Sequence, residues 1–173
     1  MTDRFDARLS AEDERALSEL SARYAVACDM RDRHGFCDLF TDDVVVMVHY
    51  AAEDRPRVAV GLENVGRVPE QLTRYAKTFH MLGQSTYAEG EEPGTATGEI
   101  YCVGHHITGT EPIVDVRMHL RYHDDYRHTD NGWRISRREV FVDFTTTEAV
   151  TWAAGLSARP PTTAALRSVR GSG

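Results

Sequence analysis

The chain has 173 residues, 41% of them hydrophobic and 27% charged, enough for one domain with a substantial core. A formal net charge of −7 argues against a sequence-independent grip on nucleic acid or on an anionic membrane surface. No stretch approaches the roughly 20 apolar residues that span a bilayer, so the expected partners are small molecules or other copies of a soluble protein, with no nucleic acid and no membrane.

The N-terminus, MTDRFDARLSAEDE, lacks an apolar segment that reads as a signal peptide. Ser10 is placed to cap a helix whose first turn carries Glu12, Asp13 and Glu14, charges favoured at a positive helix end. Leu17, Leu20, Tyr24 and Ala27 then recur at helical spacing. From Ala22 to Met30 only Arg23 and Asp29 are charged, so this end is expected to be enclosed, with Asp29 on the stripe Ala22, Ala25, Val26. A shorter helix with Phe36, Leu39 and Phe40 inward is expected to end at Thr41-Asp42-Asp43, before a β-branched strand from Val44 to Tyr50. After the loop AAEDRPR come a short strand, Val58 to Val60, and a third helix, PEQLTRYAK, with Pro69 in its first turn. His80 follows directly, between Phe79 and Met81.

From there the pattern is repetitive β: a strand from Met81 to Tyr87, then GEIYCVGHHI, IVDVRMHLRYH and WRISRREVFVDF, separated by turn-rich segments. In the third of these Val114, Val116, Met118, Leu120 and Tyr122 share one face; Asp115, Arg117, His119, Arg121 and His123 share the other. With Asp124 and Asp125 nearby, the charged side reads as a solvated or subunit-contacting face, which makes a homodimer or homotrimer the expected assembly. Three helices against one face of a curved, mostly antiparallel sheet make an α+β cone with an apolar interior. The domain is expected to span 1–150, and the tail 151–173, with Pro160-Pro161 and terminal Gly and Ser, to be partly disordered.

Two ionisable residues in apolar surroundings carry the chemistry. A buried carboxylate such as Asp29 beside an imidazole such as His80 is a ready general base, because it orients the ring and stabilises the proton the ring gains. Cys28, Cys37 and Cys102 are scattered without a C-x-x-C pair, which suits reduced thiols and a cytoplasmic location. His105 and His106 are neighbours on a strand and point to opposite faces, so they do not converge on a metal. There is no H-E-x-x-H, no Gly-rich phosphate loop after a strand and no G-x-S-x-G. Chemistry without metal or organic cofactor is the expectation.

The ordered set RYAVACDMRDRHGFCDLFTDDV, TFHMLG, GEIYCVGHH and RYHDDYRHTDNGWRISRRE resembles the SnoaL-like branch of the NTF2-like superfamily, the cone shared by scytalone dehydratase, hexachlorocyclohexane dehydrochlorinase and polyketide cyclases. The resemblance covers roughly Leu9 to Thr147. It implies that Asp29 orients His80, which removes a proton during elimination, and that His106 is a second pocket histidine. Strand parity agrees, placing Ile100, Cys102, Gly104 and His106 inward and His105 outward. The tyrosines that scytalone dehydratase uses near its substrate carbonyl are not matched: Cys28 and Val48 stand there, with Tyr50 and Tyr122 nearby.

The resulting expectation is a dehydratase-like lyase acting on a small apolar cyclic substrate, polyketide-like or steroid-like. Its catalytic residues are Asp29, His80 and His106, and its lining is Tyr24, Val46, Val48, Tyr50, Cys102, Met118, Leu120, Tyr122, Val140 and Val142. An isomerase or polyketide cyclase would start from the same proton abstraction. A ligand-binding cone without catalysis is the alternative from another class.

Overall fold

A computed structural model describes residues 9–152. Helix α1 (Ala11–Met30) starts where expected, with the Ser10 hydroxyl accepting the Asp13 N–H, and it ends at Arg31, whose left-handed backbone (φ 57°) turns the chain back. The short helix α2 (Arg33–Cys37) leads into β1 (Phe40–Tyr50) and β2 (Arg57–Val60). Two single-turn helices, α3 (Leu62–Val65) and α4 (Val68–Gln71), precede β3 (Lys77–Glu89), β4 (Thr95–Ile107), β5 (Val114–Thr129) and β6 (Gly132–Ala149).

The six strands form one sheet in the order β2-β1-β6-β5-β4-β3. β3 to β6 are an antiparallel meander, and only the β1–β6 pair is parallel, so the sheet is mostly antiparallel as expected. One cluster of buried side chains, including Leu17, Phe36, Leu39, Val44 and Ile135, holds the helices to the sheet. Each such fully buried Leu or Phe contributes about 1.5–3 kcal/mol. The Trp133 indole N–H donates to Asp13 (2.8 Å), tying the start of α1 to β6. A second cluster, Ile100, Cys102, Leu120, Tyr122, Val140 and Val142, covers the middle of the inner face.

Three local expectations are corrected. The third helix is absent as a continuous element: α4 passes into a 3-10 turn (Leu72–Arg74) and Tyr75 is already extended. The Thr73 hydroxyl donates back to the Glu70 carbonyl, and the Ala76 N–H is taken by Ile107 of β4, so sheet pairing wins over weak helix propensity. His80 therefore sits inside β3 rather than after a helix. Phe36, Leu39 and Phe40 are all buried, but Phe40 opens β1, because α2 ends at Cys37. Finally, Ala25 is buried while Ala22 and Val26 are exposed, Val26 at 54%; α1 covers the sheet with one face only. β6 runs on to Ala149, and the tail expected to be disordered lies outside the described residues beyond 152. No helix of the described residues is long and apolar enough to cross a membrane.

Candidate active site

Asp29 is the penultimate residue of α1, and His80 faces it from β3, at the edge of the sheet. One Asp29 oxygen, Oδ1, lies 2.7 Å from His80 Nδ1 and also accepts the Thr78 hydroxyl at 2.9 Å; the other, Oδ2, accepts the His80 backbone N–H at 2.9 Å. Burial would raise this carboxyl, but the hydrogen bonds from the His80 ring and backbone, the His80 charge and the Thr78 hydroxyl outweigh it and hold it below the ordinary carboxylate range. It is therefore ionised, His80 Nδ1 carries the donated hydrogen, and Nε2 is the basic nitrogen. The side chains of His80 and Asp29 are 6% and 21% exposed. Phe79 and Met81, which bracket His80, point the other way and are about half exposed (53% and 55%).

The strand period carries His106 inward, with Ile100, Cys102 and Gly104 also buried, and no bulge interrupts the β4–β5 register there. The rings of His106 and His80 meet edge to face with centroids 5.7 Å apart. His106 Nδ1 lies 3.1 Å from the Gly104 carbonyl and 3.3 Å from that of Val116. Carbonyls only accept, so Nδ1 bears the hydrogen and Nε2 is an acceptor. Burial, and then the charge of His80, push this imidazole below its ordinary value. Gly104 lies between the two rings: a Cβ there would fall 3.1 Å from His106 Cε1 and 3.5 Å from His80 Nε2. Only a glycine leaves this approach open.

Nine of the ten expected lining residues, Tyr24, Val48, Tyr50, Cys102, Met118, Leu120, Tyr122, Val140 and Val142, pack together in the second cluster; Val46 packs with the first. Tyr24 and Tyr122 are pushed well above the ordinary phenol value, chiefly by burial, and the Cys28 thiol is pushed up to about 12 for the same reason. All three stay protonated. Two surface clefts of about 330 and 500 Å³, one over Gly98 and one around Asp42 and Arg134, do not touch the dyad.

Five residues at or behind the site escape sequence reasoning. Thr78 and Arg31 stand behind Asp29, Gly104 separates the histidines, and Tyr75 packs on His106 with centroids 4.8 Å apart. Arg138 is the fifth. It is 1% exposed, its guanidinium makes a bidentate pair with Asp124 (2.7 and 2.6 Å), and it lies 4.1 Å from the Tyr24 ring centroid and 4.4 Å from that of Tyr122. Its remaining nitrogen, Nη1, is buried without a partner among the described residues. Asp124, expected near the solvated face, is instead buried with it and also accepts the Tyr126 hydroxyl. The signal was available: Asp124 shares parity with Tyr122 and Tyr126.

The outer face of the sheet carries His105, whose Nδ1 lies 2.6 Å from Asp115, with Arg117 on the same carboxylate oxygen. The two adjacent histidines thus face opposite sides of the sheet.

Residues 9–139 match the SnoaL-like domain family. No curated protein sequence matches the chain. Among solved structures, a protein of Novosphingobium aromaticivorans provisionally named an aromatic ring hydroxylase superposes with a TM-score of 0.70 at 22% identity, over 81% of this chain and 96% of its own. A second protein of that organism, provisionally named a scytalone dehydratase, gives 0.67 at 22%, over 84% and 95%. The type-3 hexachlorocyclohexane dehydrochlorinase of Novosphingobium barchaimii gives 0.64 at 15%, over 88% and 100%. These likenesses share the α+β, NTF2-like fold, and the match across most of its length places this chain in the SnoaL-like family.

Proposed function

We propose that the protein is a cofactor-independent lyase of the dehydratase type, acting on a small, largely apolar cyclic substrate in which a hydroxyl lies β to a carbonyl. The observation that carries this reading is the 2.7 Å contact between Asp29 and His80 Nδ1, which leaves Nε2 as a base beside an apolar wall. Nε2 takes the proton from the carbon next to the carbonyl, and the C–H pair becomes the new C=C bond. The C–O bond breaks, and the departing hydroxide takes a proton to leave as water. Asp29 stabilises the imidazolium formed in between.

His106, neutral and with Nε2 as an acceptor, orients the substrate hydroxyl, and the leaving group recovers its proton from His80. The Arg138 guanidinium behind Tyr24 and Tyr122 supplies a fixed positive potential that favours negative charge developing on the carbonyl oxygen. Two of the structural relatives, named a dehydratase and a dehydrochlorinase, carry names of eliminations, and this supports elimination over other outcomes of the same proton abstraction.

The test is a panel of cyclic β-hydroxyketones, followed by ultraviolet absorption of the conjugated product and by mass loss of water. Turnover by the native protein that disappears in His80→Ala supports the proposal. Double-bond migration without loss of mass would make the protein an isomerase. Ligand binding that survives Asp29→Ala and His80→Ala together, with no turnover by the native protein, would make it a binding module.

A further inference from the structure

Behind the dyad stands a second, unassigned chain of hydrogen bonds. Arg31 Nη1 donates to the Thr78 hydroxyl at 2.6 Å and to the Cys28 carbonyl at 2.6 Å, and the Thr78 hydroxyl donates to Asp29 Oδ1 at 2.9 Å. Thr78 is 2% exposed. A hydroxyl has one hydrogen; with a guanidinium donating to its oxygen, that hydrogen is directed at Asp29. Asp29 Oδ1 therefore serves two donors, Thr78 Oγ1 and His80 Nδ1. The left-handed turn at Arg31 is what swings its side chain back over the end of α1, while its backbone N–H closes the helix on the Ala27 and Cys28 carbonyls.

We infer that Thr78 and Arg31 are positioning residues that draw charge from Asp29 Oδ1 and so keep His80 unprotonated and available as a base. An aspartate that served His80 alone would hold the ring equally well but would stabilise imidazolium more strongly, and the base would be occupied by its own proton over a wider pH range. Sharing the oxygen with a hydroxyl polarised by a guanidinium keeps the orientation and weakens the hold on the proton. The charged and titratable groups around His80 are Asp29, Cys28 and Arg31 from the end of α1, His106 and Cys102 from β4, and Arg74 from the turn before β3. The Arg31 relay is the one that reaches the ring through the aspartate. The value of this device for catalysis rests on the lyase reading; its effect on the imidazole does not.

The test therefore needs no substrate. The ¹⁵N and ¹³C resonances of the His80 ring, followed by NMR across pH, report both its titration midpoint and its tautomer in the native protein, Thr78→Val, Thr78→Ser and Arg31→Asn. Asparagine tolerates the left-handed backbone of position 31. Thr78→Val is expected to move the midpoint up by roughly 0.5 to 1 pH, the worth of one shared hydrogen bond, with the Nδ1–H tautomer retained. Thr78→Ser is expected to restore the native midpoint, and Arg31→Asn to move it up by less. A midpoint that stays put or falls in Thr78→Val, or a serine variant that behaves like valine, overturns the inference. Should Thr78→Val fail to fold, Arg31→Asn alone decides by the same sign. A confirmed shift in a protein without lyase turnover would refute the proposed function and leave the relay standing.

Discussion

The sheet carries two carboxylate–imidazole pairs of nearly equal length, 2.7 Å for Asp29–His80 inside and 2.6 Å for Asp115–His105 outside. The inner pair reaches an arginine only through a hydroxyl, and its ring abuts a second imidazole. The outer carboxylate is bound directly by Arg117, which also reaches Glu148 at 3.2 Å, and its ring is 25% exposed to water. A dyad is thus made into a base by its surroundings: a carboxylate already committed to a guanidinium has less to offer an imidazole, and water competes for the rest.

The sharpest way to break this comparison is to cut both pairs. His80→Ala and Asp29→Asn are each expected to lower kcat/KM roughly 100-fold or more, whereas His105→Ala should leave it within about 2-fold. Equal losses on the two faces would dismiss the distinction. In the native enzyme, activity should rise with pH as His80 loses its proton, and should survive a chelator.

The buried and exposed arginines differ in the same way and can be compared by urea unfolding. Arg138→Met leaves Asp124 charged and unpaired in the core and should cost about 3–5 kcal/mol, while Arg117→Met, on a half-buried surface network, should cost about 1 kcal/mol or less. Gly104→Ala probes the gap between His80 and His106. The neighbouring rings must move by a few tenths of an ångström, so a loss in kcat/KM of about 10-fold with unfolding stability nearly unchanged is expected.

The smallest expected effect is a pH dependence of stability. Because burial and the His80 charge hold His106 below its ordinary 6.5, the unfolded chain takes up this proton first. The stabilising contribution is full above about pH 6.5 and is lost as pH falls through the lower folded value. His106→Asn should flatten this limb of the urea midpoint against pH. Asp29 acts likewise further down, full above its ordinary 3.8 and lost as pH falls through its lowered folded value.

The inner dyad was legible in the sequence because two simple rules reach it: helical spacing ends at Asp29, and the period of two places His106 on the side opposite His105. Arg138 was not. Counted forward from Ile135, strict alternation selects Arg137, but the register shifts between Asp125 and Tyr126 on β5 and leaves Ser136 of β6 without a partner, so the inward position is Arg138. A bulge has no signature in composition, and the run RISRRE reads as solvated charge. Thr78 was hidden for another reason: its importance comes from contacts 47 and 49 residues away, with Arg31 and Asp29, which no local pattern encodes. The third helix failed because pairing of the chain at Ala76 with β4 decides that segment.

The bond from the His80 backbone N–H to Asp29 Oδ2 has a bearing on self-association. β3 has a partner on one side only, and an outward N–H on an edge strand is a template on which another chain can add a strand. The aspartate occupies that donor, and α1 lies along the same edge. The residue that orients the base is also a guard on the open side of the sheet, so the substitution that keeps an acceptor oxygen, Asp29→Asn, preserves solubility where Asp29→Ala removes the guard together with the charge.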